Sequence, residues 1–89
     1  MELPDAVIED LRRRLRRIEG QVHGLEAMLA DGRECRDVVT QLSAASKALD
    51  QVGFHLIASG LAYCLQNPDD AEASGYPLEE FRRLFTKLA

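Results

Sequence analysis

The chain has 89 residues, of which 46% are hydrophobic, and a formal net charge of -4. That is the size of one small domain (1–89), and a chain this short, built from long helices, hides little surface by folding alone, so much of its apolar surface is expected between chains. The acidic balance argues against a general nucleic-acid coat, no apolar run reaches the roughly 18 residues of a membrane span, and no signal-peptide core follows Met1, which points to a cytoplasmic protein.

From Asp5 to about Ala30, apolar residues fall at Leu11, Leu15, Ile18, Val22, Leu25 and Leu29, the spacing of a heptad seam, and Asp31-Gly32 supplies the stop. A second helix is predicted from about Cys35 to Gln66, with a seam of Val38, Leu42, Ala45, Leu49, Val52 and Leu56. Ile57, Leu61 and Leu65 form a second apolar edge, so its later half should be buried on more than one side. Gly53 and Gly60 lie inside it, which implies close backbone packing or a local kink. Asn67-Pro68-Asp69-Asp70 ends the helix, Ala71 to Gly75 reads as a polar connector, and Pro77 suits the first turn of a short third helix. In that helix Leu78, Phe81, Leu84, Phe85 and Leu88 make one apolar face. The expected fold class is all-α: a three-helix protomer, a long antiparallel hairpin plus a short C-terminal helix, dimerising into an antiparallel four-helix bundle.

The two cysteines, Cys35 and Cys64, are 29 positions apart. On one continuous helix they are separated by roughly 44 Å, far beyond disulfide reach. They meet only if the helix pairs antiparallel with its copy in a second chain, which would create two symmetric sites per dimer. As a metal site the pair is poor: position 60, one turn before Cys64, is glycine, and His55 falls about 900° of helical rotation before it, on the opposite face. His23 has no spacing relation to either thiol. Two thiolates suit linear Cu(I) and suit zinc, nickel or cobalt badly. The pair also suits thiol chemistry, because Cys35 opens a helix, where the dipole favours negative charge, between Arg33 and Arg36 and against Glu34 and Asp37. Buried cysteine as a small hydrophobe is the plain alternative.

The stretch Arg12-Arg13-Arg14-Leu15-Arg16-Arg17 is a local basic patch on an otherwise acidic chain, with acidic clusters at Glu2 to Asp10, Asp69 to Glu72 and Glu79-Glu80. A solvated face paired with Glu9, Asp10 and Glu19 is one reading; phosphate binding, multiplied by dimer symmetry, is the other. There is no helix-turn-helix, zinc-finger or RNP pattern, and no nucleophile triad, carboxylate pair or phosphate-binding glycine loop that would mark an enzyme.

Arg14-Leu15-Arg16-Arg17-Ile18-Glu19-Gly20-Gln21-Val22, followed by Cys35-Arg36-Asp37-Val38-Val39-Thr40-Gln41-Leu42-Ser43-Ala44 and then Cys64, resembles the CsoR/RcnR family of small repressors over about residues 10 to 66. The resemblance implies an all-helical dimer assembling into a flat tetramer that binds operator DNA and releases it when an interfacial site is occupied or modified. It also implies that Arg14, Arg16, Arg17 and Gln21 form the basic first-helix motif turned toward DNA, with Lys47 added from the second helix. His23 stands where the family commonly has Arg.

The departures from the family pattern point to a subtype. Copper sensors of the family carry His four residues before the second Cys, where this chain has Gly60, and often Tyr before the first, where it has Glu34. The nickel and cobalt sensors need an N-terminal His, absent from Met1 to Asp10, and the formaldehyde sensors an N-terminal proline, whereas Pro4 is internal. Both cysteines without the His are similar to the persulfide-sensing CstR branch. The expectation is a cytoplasmic, homotetrameric repressor that senses reactive sulfur through Cys35 and the partner's Cys64 and needs no cofactor. The alternatives are a repressor with Cu(I) on the same two thiolates, and a helical interaction module that binds no DNA.

Overall fold

The computed structural model describes residues 3–89; Met1 and Glu2, the start of the first acidic cluster, lie outside the described residues. Four helices follow in order: α1 (Asp5–Ala30), α2 (Cys35–Gln66), α3 (Pro68–Ala73) and α4 (Leu78–Leu88). The long hairpin and the terminal helix stand as expected. The connector does not: residues 68–73 form a helix of their own, so the described residues form four helices where three were predicted. Asn67 leaves α2 at φ -136° and ψ 62°, Pro68 opens the next helix with its fixed φ, and Asp69 and Asp70 meet the positive end of its dipole.

Two glycines end helices in the same way. After α1, Gly32 (φ 66°) donates to the Leu29 carbonyl and Arg33 to the Met28 carbonyl. After α3, Gly75 (φ 87°) donates to Glu72 and Tyr76 to Ala71. Both are Schellman stops, which require a left-handed residue that only glycine adopts without strain. The first turns the chain back to lay α2 along α1; the second carries it back over the end of α2.

The apolar groups collect in two separate clusters. Leu11 and Ile18 of α1 pack with Val52 of α2, flanked by Leu3, Val7 and Ala48. At the far end of α2, Cys64 packs with Ala71 and Phe81, flanked by Leu61, Tyr63 and Tyr76. The helix is unbroken across Gly53 and Gly60. Position 53 lies close to α4: a Cβ there would sit 3.0 Å from Leu88 Cδ1.

Only part of each heptad seam is buried. Leu11 and Ile18 are enclosed, but Val22 and Leu29 further along α1 are 54% and 68% exposed. The molecule measures 54 × 25 × 14 Å, with a radius of gyration of 16.9 Å against about 12 Å for a compact chain of this length. A slab 14 Å thick is hardly more than one layer of helices. Its accessible surface is 6757 Å², where a compact monomer of the same mass exposes about 5,200 Å². No helix among the described residues is long and apolar enough to cross a membrane.

Candidate sensing thiols and nucleic-acid interface

The two thiols sit at opposite ends of α2, in opposite surroundings. Cys35 is the first residue of the helix and is exposed; Cys64 lies near its end and is buried, at 6% exposure. Within one protomer they are not brought together, since the straight run of α2 separates them by roughly 44 Å.

Around Cys35 the expected cationic surroundings are partly matched by acids. Arg33 pairs with Asp37 at 3.7 Å, which leaves Arg36 as the cation without an acidic side-chain partner among the described residues. Glu34, at the position where the copper-sensing pattern often has Tyr, caps the helix: its carboxylate accepts from the Arg36 backbone N–H at 2.9 Å. The cap explains why α2 starts where it does, and was not part of the sequence reading.

Around Cys64 the walls come from beyond α2. Ala71 of α3 is completely buried against it, Phe81 of α4 closes the other side, and the thiol donates to the Tyr76 carbonyl at 3.6 Å. Tyr63 Oη donates to Asp70 Oδ2 at 3.1 Å and pins α3 to α2. Position 60 is buried and borders an apolar cleft of about 370 Å³ lined also by Leu56, Ile57, Tyr76, Phe81 and Leu84. Those residues offer no thiolate, imidazole or carboxylate, and among the described residues no group of three or more His, Cys, Asp or Glu is placed to hold a metal ion. The described residues of one protomer therefore bring together no such ligand set. Two thiolates contributed by two chains fit Cu(I) by ligand softness and by its tolerance of two-coordination.

The basic patch lies on the first half of α1. Arg12 pairs with Glu9 at 3.1 Å; Asp10 takes Arg14 at 2.9 Å and, more loosely, Arg13 at 3.9 Å. The hydrogen bond from Arg14 holds the Asp10 carboxyl below its ordinary value, and the charges of Arg14, Arg13 and His55 of α2 act in the same direction. Arg16 and Arg17 are exposed and form no ion pair among the described residues, although Glu19 is near in sequence. Arg14, Arg17 and Gln21 line one cleft of about 110 Å³ with Ile18 and, from α2, Ala48 and Gln51. Gln51 is the α2 residue at this cleft; Lys47 is exposed and does not line it. Gln21 Oε1 is buried and has no donor among the described residues.

Residues 8–87 match the family model for metal-sensitive transcriptional repressors. The chain is 39% identical over 69 residues to the copper-sensing transcriptional repressor RicR of Mycobacterium tuberculosis, covering 78% of this chain and 69% of that protein. It is 34% identical over 83 residues to the copper-sensing transcriptional repressor CsoR of Bacillus subtilis, covering 89% and 81%. Among solved structures it resembles the copper-sensing repressor CsoR with Cu(I) from Geobacillus thermodenitrificans NG80-2, with a TM-score of 0.76, 34% identity and coverage of 99% of this chain and 88% of that one. The nickel-responsive transcriptional regulator InrS gives a TM-score of 0.78 at 26% identity, covering 100% and 98%. With a match over nearly its whole length, the chain belongs to the CsoR/RcnR family of metal-sensitive transcriptional repressors, which are not enzymes.

Proposed function

We propose that this protein is a cytoplasmic repressor that binds operator DNA through the basic half of α1 and senses its inducer through Cys35 and the partner's Cys64. One observation carries the reading: both thiols are kept at the two ends of an unbroken α2, while the position one turn before Cys64 is glycine. Antiparallel pairing of α2 with its copy in 35-to-64 register puts the two-fold axis between Leu49 and Asp50. Leu42, Leu49 and Leu56, spaced by heptads about that axis, are each exposed in the protomer. The unsheltered surface supports the same assembly: the excess of about 1,500 Å² over a compact monomer exceeds the roughly 800 Å² per partner of a standard interface, and leaves area for a tetramer.

The inducer we favour is a sulfane-sulfur species. The Cys35 thiolate attacks a persulfide donor RSSH, takes its outer sulfur and releases RSH, which leaves Cys35 as a persulfide. The thiolate of the partner's Cys64 then attacks the sulfur bound to the Cys35 side chain, forming an inter-chain disulfide and expelling hydrosulfide; the two electrons that reduce the expelled sulfur come from the two cysteines. Cross-linking fixes the dimer in a form with lower affinity for DNA. A second reading keeps the repressor and makes Cu(I) the inducer, held by the same two thiolates; its support is the likeness to RicR and CsoR, which are copper-sensing.

Intact mass under denaturing, non-reducing conditions, with and without inorganic polysulfide, tests the choice when the same samples are scored for DNA binding. A covalent dimer that has lost DNA affinity is the expected result. An unchanged mass with intact DNA binding excludes sulfur sensing, and release of DNA by Cu(I) in those samples would establish the second reading.

A further inference from the structure

We propose that Asp10 is a positioning residue of the nucleic-acid face: it holds the Arg14 guanidinium by its Nε edge and so presents both terminal Nη groups to one phosphate. The inference rests on the repressor reading above. Its basis is which nitrogen each arginine commits. Arg12 spends Nη1 on Glu9, and Arg82 spends both Nε and Nη2 on Glu79, the full fork that a phosphate would otherwise occupy. Arg14 commits Nε alone, to Asp10 Oδ2 at 2.9 Å, and its terminal groups have no partner among the described residues. Its side chain is half-buried at the cleft shared with Arg17 and Gln21. A guanidinium fixed in this way has already lost much of its rotamer freedom, so less is lost when it grips a phosphate.

Asp10 stays ionised for the task, since the Arg14 hydrogen bond lowers its carboxyl and His55 of α2 adds to that effect. The next oxygen of the same carboxylate draws Arg13 at 3.9 Å, which is too long to fix that side chain.

Charge alone predicts the opposite of this role. A carboxylate beside a phosphate-binding patch repels DNA, so its removal should tighten binding. The sign of the effect therefore decides. Affinity for a duplex taken from upstream of the protein's own gene is measured in reducing buffer over a range of salt, for wild type, Asp10→Asn, Asp10→Ala and Glu9→Ala. Asp10→Ala is expected to bind about three- to tenfold more weakly, with a salt slope shallower by about one phosphate contact. Asp10→Asn keeps an acceptor oxygen for Nε and is expected within about twofold of wild type. Glu9→Ala removes the same charge one residue away, from the Arg12 pair, and is expected to bind as tightly as wild type or more tightly.

Asp10→Ala binding at least as tightly as wild type overturns the assignment, as does weaker binding with an unchanged salt slope. Equal helical content and assembly mass across the variants ties the loss to the contact. A wild-type protein without salt-dependent DNA affinity fails the repressor reading itself, a result distinct from either.

Discussion

The two ends of α2 carry the same side chain under opposite conditions. At its start, Cys35 stands exposed on a capped helix terminus whose neighbours are charged. At its end, Cys64 is enclosed by Ala71 and Phe81 and its thiol is already engaged with the Tyr76 carbonyl. The difference assigns an order to any thiol chemistry: the exposed end meets a reagent first, and the enclosed end reacts once α3 and α4 yield or once a partner chain brings its own Cys35 alongside. Burial here comes from the C-terminal arm, not from α1, so the arm is the element whose packing keeps the two thiols unlike.

Removing the exposed end should have the largest effect. Cys35→Ser is expected to bind DNA as wild type does and to lose the whole polysulfide response, scored by retention of DNA after treatment. A fully responsive Cys35→Ser protein would show that the asymmetry does not matter. Opening the enclosed end comes next. Phe81→Ala removes the aromatic wall of the small cluster at Cys64 and is expected to cost about 3 kcal/mol. Alkylation of Cys64 should accelerate while that of Cys35 stays constant, as site-resolved mass spectrometry reads it. Equal acceleration of both would mean general loosening.

Restoring a donor at position 60 sharpens the comparison from the metal side. Gly60→His places an imidazole one turn before Cys64, at the border of a cleft of about 370 Å³. Cu(I) affinity, measured by competition with a chromophoric chelator, should rise by at least about tenfold, which is roughly 1.4 kcal/mol. No gain would show that the 35-to-64 register between chains is wrong.

Much of this contrast was legible in the residues, and the missing part has a physical cause. The limits of α1 and α2 follow from punctuation that acts locally: Gly32 as a left-handed stop, and Asn67-Pro68 as the end of α2. The spacing of the thiols followed from helix rise alone. The pairing of Glu9 and Asp10 with the arginine run was readable from three- and four-residue steps. What could not be read was long-range. Helix α3 has one buried residue, Ala71, and its polar neighbours look like connector; it exists because that alanine has Cys64 and Phe81 to pack against. The Tyr76 carbonyl as a thiol acceptor depends on the second Schellman turn, and Gly75 read only as the end of a polar connector does not say where the next carbonyl points. The exposed part of each seam is apolar, and among the described residues nothing covers it.

The smallest expected effect tests how far along the arm the protection of Cys64 extends. Gly53 sits in the middle of α2, and a Cβ there meets Leu88 Cδ1 at 3.0 Å, too close to stay without movement. Leu88 ends α4 and is more than half exposed, so its side chain can rotate away. Alanine in place of an interior helical glycine gains about 0.8–1 kcal/mol of helix propensity. Gly53→Ala should therefore stabilise the protein by up to about 1 kcal/mol, read as a small rise in Tm, and leave the rate of Cys64 alkylation unchanged. Phe81, two turns before Leu88, is the α4 residue in the thiol cluster, and Leu88 is not part of it. A Gly53→Ala protein that melts earlier and exposes Cys64 would mean that Leu88 anchors the whole arm, and that the seal on the buried thiol runs to the end of α4.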